Sequence, residues 1–390
     1  MDKLKVLVTD PIDREGLKSL EKHQNIDLHY EINPSSDKLE KALKGVGAWL
    51  VRSETQVTGE WMKKAESLRL IGRAGVGVDN IDIQAATLRG IAVINSPSAN
   101  TIAACEHTLG LMLALSRNIP QADADVKSGN WQRTKWMGTE LQGKTLGIVG
   151  LGRIGREVAK RALGFGMRVL AMDPFISHEQ AKELGVELAE LKRLLGQSDF
   201  VTLHAPASDK TRYLINKDSI SWFKPGARLI NCARGELIEE AALVQAIESE
   251  RLAGAALDVF EKEPLRADSA LRKLSQVILT PHLGASTQEA QSKVASELSE
   301  SVIAFHERGI ALNALNLPGF DADTLKSLGE FLNLAETLGR FLGQIIDSGI
   351  KEFICSFQGD FKPSQRRPLF VASLKGLLST MLAQGVTYIS

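Results

Sequence analysis

Three polar side chains in the second half of this 390-residue chain have types suited to taking a proton from an organic acid's hydroxyl: Arg234, a glutamate at 261 or 263, and His282. Each follows a short apolar run and lies among small or turn-forming residues. The settings are Asn231-Cys-Ala-Arg-Gly-Glu236, Asp258-Val-Phe-Glu-Lys-Glu-Pro264 and Leu279-Thr-Pro-His-Leu-Gly-Ala-Ser-Thr287. Histidine ordinarily titrates near neutrality, so it can accept the alcohol proton as a hydride leaves carbon. A carboxylate beside it raises that pKa, fixes the ring tautomer and stabilises the imidazolium as it forms. An arginine holds a carboxylate with a planar fork, so that the C–H points at the hydride acceptor. The residue types alone leave Glu261 and Glu263 as rivals, and spacing does not show that either touches His282.

The acceptor is indicated by a second pattern, Gly150-Leu-Gly152-Arg-Ile-Gly155. It follows the apolar run Thr145-Leu-Gly-Ile-Val149 and opens into Arg156-Glu-Val-Ala-Lys-Arg-Ala162, which reads as a helix. That strand–glycine–helix context is what distinguishes a dinucleotide fingerprint from an ordinary glycine-rich turn. Gly150 serves the tight turn, Gly152 lets backbone approach a pyrophosphate, and Gly155 brings helix and strand together; the helix N-terminus supplies N–H donors. A second strand, Arg168–Met172, leads to Asp173, placed to accept ribose hydroxyls. No Arg or Lys stands at 174–176 to meet a 2′-phosphate. NAD is therefore expected rather than NADP.

The rest of the chain must position these groups. Short apolar runs alternate with helical patterns, the mark of an α/β protein with doubly wound parallel sheets. A first series contains Val6–Val8, Ala48–Val51, Leu70–Ile71 and Ala92–Ile94. The polar or glycine-rich segments after these runs, Thr9-Asp10, Arg52-Ser53, Gly72–Gly77 and Asn95–Pro97, are candidates for one wall of a site. Asn100–Arg117 reads as a buried helix that leads to a second series: Thr145–Val149, Arg168–Met172, Phe200–Leu203, Arg228–Cys232, Gly254–Val259 and Val277–Leu279. A helix over Thr287–Arg308 could return the chain to the first sheet. Beyond Pro318 the pattern predicts a helix at Leu325–Gly343, strands at Glu352–Phe357 and Leu369–Val371, a helix at Ala372–Ala383 and a last strand near Thr387–Ser390. Such a piece is expected to be a partial α+β domain.

Composition narrows the partners. Lys plus Arg equals Asp plus Glu at 47 each, so no gross basic bias points to nucleic acid or an acidic membrane. Cys105, Cys232 and Cys355 have no metal-site spacing, and no metal is expected. The N-terminus enters a strand without a signal-peptide pattern, and no apolar stretch is long enough for a bilayer. A reduced, cytoplasmic protein is the expectation.

These motifs together resemble the NAD-dependent D-2-hydroxyacid dehydrogenases. The resemblance rests on Gly150–Gly155, Asn231-Cys-Ala-Arg-Gly235, Leu257–Pro264 and Pro281–Thr287. It implies Arg234, Glu263 and His282 as the catalytic trio and so favours Glu263 over Glu261. It also implies cofactor contacts at Arg153, Ile154, Asp173, Cys232, Ala233 and Asp258, and along the turn from His282 through Gly284 to Ala285. Val76 and Ala205 stand where many relatives carry a hydrogen-bonding residue, so one or two cofactor bonds are expected to be missing. The implied domains are a discontinuous substrate domain (1–99 and 287–318), an NAD-binding Rossmann domain (100–286) and a partial intervening domain (319–390), with catalysis in a cleft between the first two.

The likeness is greatest to the long-form branch that oxidises 3-phosphoglycerate to 3-phosphohydroxypyruvate in serine synthesis. Arg52 and Ser53 resemble that branch's phosphate-binding pair, and Ala74, Gly75 and Val76 lie in a loop like the one that cradles the substrate carboxylate. Asn130–Lys135 and Trp136–Thr139 resemble a segment reaching a partner subunit, with Arg133 meeting the neighbour's substrate; a homodimer or homotetramer is implied. Long forms continue to an ACT-type regulatory domain, which this chain does not reach, so serine feedback through it is not expected. The alternatives are a glyoxylate/hydroxypyruvate reductase, which needs no phosphate site, and an NAD-sensing corepressor of this fold, which would bind peptides.

Overall fold

A computed structural model describes residues 3–317, 322–346 and 350–381. It divides into two compact units, Met1–Ala99 with Gln291–Ser390, and Asn100–Ala290. The apolar runs become short parallel strands, several of them buried along their whole length, as strands covered on both faces must be.

The first unit holds a five-stranded sheet of β1 (Leu4–Val8), β2 (Ile26–Tyr30), β3 (Ala48–Val51), β4 (Leu70–Arg73) and β5 (Ala92–Asn95), in the order β2-β1-β3-β4-β5. Sequence patterning passed over β2. It is an edge strand with only Ile26 buried, so it has no continuous apolar run to announce it. Helix Gln288–Arg308 packs its later turns on this sheet through Val294, Ala295, Leu298 and Val302. Gly72 permits that approach: a Cβ there would stand 2.7 Å from Leu298 Cδ1.

The second unit holds seven parallel strands: β6 (Thr145–Val149), β7 (Arg168–Met172), β8 (Glu187–Leu188), β9 (Phe200–Leu203), β10 (Ala227–Asn231), β11 (Leu252–Leu257) and β12 (Val277–Leu279). Their order is β12-β11-β10-β9-β6-β7-β8. The two-residue β8 also escaped sequence reading. Helix Thr101–Arg117 packs on β10, β11 and β12. Each sheet reverses its winding once, between β1 and β3 in the first unit and between β6 and β9 in the second. At such a point the loops after neighbouring strands diverge and leave a crevice at the strands' C-terminal ends.

The C-terminal segment departs from expectation. Helix Ala322–Ile345 is present, but Leu369-Phe-Val371 lies inside a second helix, Pro363–Met381. Glu352–Phe357 joins no sheet, and the last expected strand, Thr387–Ser390, lies outside the described residues. The described part is therefore a helix pair rather than α+β. Leu369 and Ala372 pack with Leu328, Leu332 and Ala335, and this packing overrides the strand preference of a three-residue Leu-Phe-Val run. The two helices press backbone to backbone: a Cβ on Gly376 would lie 2.0 Å from the Glu336 carbonyl oxygen.

Candidate active site

Because β10, β11 and β12 are adjacent and parallel, the loops after them leave the same edge of the second sheet. Those loops carry Arg234, Glu263 and His282. Glu263 Oε2 lies 2.8 Å from His282 Nδ1, and its Oε1 accepts from the Phe260 amide at 3.2 Å. Burial would push the Glu263 carboxyl up, but the hydrogen bond and charge of His282, with the Phe260 amide, outweigh it and leave the group below its ordinary value. The rival Glu261 is engaged elsewhere, accepting from the Glu240 amide at 2.9 Å and from the Tyr213 hydroxyl at 3.3 Å. The Arg234 loop is braced by buried Asn231, whose side chain donates to the Arg234 carbonyl and accepts from the Ala233 amide. Gly235 then brings this loop against the next one; a Cβ there would lie 1.9 Å from the Phe260 carbonyl. Arg234 itself is half-buried, with one guanidinium nitrogen on the Ala233 carbonyl at 2.7 Å.

Asp258, which follows β11, is completely buried and organises the turn that holds His282. Its Oδ1 accepts from the Leu283 amide at 2.7 Å and the Thr280 hydroxyl at 2.6 Å, and its Oδ2 from the Gly284 amide at 2.8 Å. Its carbonyl takes the His282 amide at 2.8 Å. His107 Nε2, from helix Thr101–Arg117, completes the cluster at 3.1 Å from Oδ1. Sequence reading singled out Asp258 and Gly284 through resemblance but passed over Asn231, Thr280 and His107. A Thr one residue before the Pro-His pair, and a His inside an apolar helix, were the available signals.

The glycine loop lies at the switch point of the same sheet. Gly150 has φ +97°, and a Cβ on it would sit 2.7 Å from the His204 carbonyl, so the tight turn admits no side chain. A Cβ on Gly155 would stand 2.1 Å from the Gly150 carbonyl oxygen, so helix and strand touch there. Gly152 differs: a Cβ would meet nothing within 4 Å, and it caps helix Arg153–Gly164. Open space in front of a helix N-terminus fits a pyrophosphate. Arg153 is exposed and Ile154 half-buried at the start of this helix. Asp173 Oδ2 accepts the Leu151 amide at 2.8 Å and Oδ1 the Phe175 amide at 2.9 Å. A carboxylate accepts about four hydrogen bonds, so capacity for a ribose diol is left. The residues of this loop and strand end thus fit NAD. Ala205 and Cys232 border this region half-buried; burial pushes the Cys232 thiol up to about 12, which keeps it protonated. Burial pushes His204 down to about 4, so it is neutral.

In the first unit, Asp10 follows β1 and is completely buried. Its Oδ2 accepts the amides of Arg52 (2.6 Å), Glu54 (3.2 Å) and Thr55 (3.1 Å), and its Oδ1 the Thr55 hydroxyl. The Arg52-Ser53 loop after β3 is therefore pinned at the switch point of that sheet. After β4, the amides of Ala74 and Gly75 already donate to the Val51 and Arg73 carbonyls. Among the described residues no acceptor meets the amides of Val76 and Gly77, while the Val76 carbonyl is held by Asn95 Nδ2 at 2.6 Å. Arg133 is exposed in the irregular segment before β6, beside Trp131 and Met137, which are each 78% exposed. Among the described residues no helix is long and apolar enough to cross a membrane, and no group of three or more His, Cys, Asp or Glu could hold a metal ion.

Over 387 residues the chain is 46% identical to a D-3-phosphoglycerate dehydrogenase of Synechocystis sp., covering 99% of this chain and 69% of that one. The chain belongs to the D-3-phosphoglycerate dehydrogenase family. A relative from Bacillus subtilis with the same name is 43% identical over 374 residues, covering 96% of this chain and 70% of the relative. Residues 109–284 match the NAD binding domain of the D-isomer specific 2-hydroxyacid dehydrogenases, and residues 327–390 match the D-3-phosphoglycerate dehydrogenase intervening domain. Among solved structures, the D-lactate dehydrogenase of Aquifex aeolicus, complexed with NAD and lactic acid, is similar with a TM-score of 0.71 and 30% identity. It covers 80% of this chain and is itself 99% covered. The intervening-domain match takes in most of the described helix pair, Ala322–Ile345 and Pro363–Met381.

Proposed function

We propose that this chain oxidises 3-phospho-D-glycerate to 3-phosphohydroxypyruvate with NAD, the first step of phosphorylated L-serine synthesis. The observation that carries the reading is the Glu263–His282 pair, 2.8 Å apart, on the strand edge that also carries the Arg234 loop. With Nδ1 donating to Glu263, His282 presents its Nε2 lone pair and accepts the proton of the substrate's C2 hydroxyl there. Glu263 stabilises the imidazolium that results. Arg234 holds the substrate carboxylate as a fork, and the amides of Val76 and Gly77 are the donors available in the 74–77 loop. NAD, when bound, would supply the hydride acceptor. Gly150, Gly152, Gly155, Arg153 and Ile154 are assigned to its pyrophosphate end, and Asp173 to the adenosine ribose. Cys232, Ala233, Asp258, Gly284, Ala285, Ala205 and Val76 are assigned toward the nicotinamide half.

Arg52 and Ser53 are assigned to the substrate phosphate, a guanidinium and a hydroxyl being suited to a dianion. The substrate domain is assigned to 1–99 with 287–318, the cofactor domain to 100–286, and the intervening domain to 319–390. The exposed Trp131 and Met137 support a homodimer or homotetramer in which Arg133 reaches the neighbour's substrate, in a cytoplasmic protein. The test is a steady-state comparison of 3-phosphoglycerate with D-glycerate, NAD being the oxidant, in the wild type and in Arg52→Ala. The variant should lose about tenfold or more in kcat/KM on the phosphorylated acid alone, as loss of a charge-assisted contact implies. Equal loss on both acids would undo the phosphate assignment. Peptide binding with no turnover of any hydroxy acid would favour the corepressor.

A further inference from the structure

His107, half-buried, stands in the run Cys105-Glu-His-Thr-Leu-Gly-Leu-Met112, on a helix whose buried positions are apolar or small. A ring nitrogen in such a place needs a partner. Its Nε2 has two, Asp258 Oδ1 at 3.1 Å and Thr280 Oγ1 at 3.2 Å. The Thr280 hydroxyl donates to Asp258 Oδ1, so its oxygen is free to accept, and the histidine N–H is shared between both acceptors. His107 is thus the sole side chain with a ring or cationic donor that reaches the Asp258 carboxylate among the described hydrogen bonds.

What that carboxylate does explains why the donor matters. It grips the amides of Leu283 and Gly284, and the Asp258 carbonyl grips the amide of His282. His282 needs such a grip, because its φ of +55° lies in the left-handed region that a side chain rarely occupies. A conformation of this kind persists only where the surroundings over-determine it. Burial would raise the Asp258 carboxyl, yet the His107 and Thr280 hydrogen bonds, with the Leu283 amide, bring it below its ordinary value. An ionised carboxylate holds two backbone amides more strongly than a neutral acid would.

We propose that His107 is a positioning residue for this reaction: its Nε2–H clamps the buried Asp258 carboxylate, and through it the turn that aims His282 at the substrate hydroxyl. The inference rests on the reading of His282 as the proton acceptor. His107 acts through Asp258, and its effect is on the orientation of the imidazole. A displacement of about 1 Å at a reacting group costs on the order of 10²-fold in rate.

The experiment compares His107→Gln, His107→Asn and His107→Leu with the wild type and with His282→Ala, measuring kcat, KM for 3-phosphoglycerate and the thermal midpoint. Glutamine carries an N–H near the place of Nε2, asparagine near that of Nδ1, and leucine fills volume with no donor. His107→Leu and His107→Asn should lose about 10- to 100-fold in kcat with KM within about threefold, and His107→Gln should stay within about threefold of wild type. If all three variants behave alike, or if kcat merely tracks the thermal midpoint, the inference is overturned. Should the leucine variant fail to fold, the contrast between glutamine and asparagine still separates a donor at Nε2 from mere filling of space. Turnover lost in His282→Ala but kept in His107→Leu and His107→Asn sinks this inference alone. Turnover kept in His282→Ala sinks the active-site reading and this inference with it.

Discussion

Asp10 and Asp258 occupy matching places in the two sheets, each buried just past a strand and each holding the loop of a neighbouring strand by its backbone amides. Asp10 gathers three amides and a hydroxyl of residues 52–55, the loop proposed to present Arg52 and Ser53 to an anion. Asp258 gathers two amides and, like Asp10, a threonine hydroxyl, but it adds a histidine ring. The difference follows from what each loop carries. A binding loop tolerates small excursions, because a long guanidinium can follow its ligand. The turn proposed to hold the proton acceptor, with His282 at φ +55°, has no such latitude, and its anchor is itself anchored from a helix.

That contrast can be broken at several points. His282→Ala should have the largest effect, a fall in kcat of about 10³-fold within the usual range for general base catalysis, with substrate KM little changed; intact turnover across pH would remove the proton-transfer role. Next come the paired substitutions Asp258→Asn and Asp10→Asn. The first should lower kcat about 10²-fold, by analogy with other small displacements of a reacting group, while the second should mainly raise KM for 3-phosphoglycerate, by about tenfold. Swapped signatures would mean that the two anchors do not divide aiming from binding. Gly152→Val is subtler. Its side chain would meet only open space, so the thermal midpoint should hold while KM for NAD rises; a fallen midpoint with unchanged NAD affinity would contradict the placing of the pyrophosphate.

The smallest effect concerns pH. Glu263 and Asp258 lie below their ordinary carboxylate values in the folded chain, so acid protonates the unfolded chain first. Their contribution to stability is present above the ordinary carboxylate range, near pH 4, and is lost as pH falls from there through the folded values. Denaturant midpoints should decline over that window, less steeply in Glu263→Gln. An unchanged slope would mean that the His282 bond does not hold the Glu263 proton off.

Much of this was legible in the residues. Period and context were enough for an α/β chain with a dinucleotide turn, because buried parallel strands must be apolar and a glycine at +97° has almost no substitute. Edge strands β2 and β8 were hidden, since one exposed face or two residues leave no apolar run. The Leu369–Val371 strand was misread because a short run fits either state until its neighbours are known. The glutamate rivalry was settled in the residues only by resemblance, whereas in space it is plain: Glu263 meets His282 while Glu261 meets Tyr213 and Glu240.

The amino-acid order by itself therefore determined which segments could be strands, which turn could accept phosphate, and which side chains have the chemistry of hydride and proton transfer. Only the tertiary structure decided which carboxylate faces the imidazole, which loop amides remain available to an anion, and that Asp258 and His107 are joined to the turn that carries His282. The reason is that composition and period are local, whereas a hydrogen bond across 151 positions, as from His107 to Asp258, exists only once parallel strands have brought their ends to one edge and a helix has been laid against them.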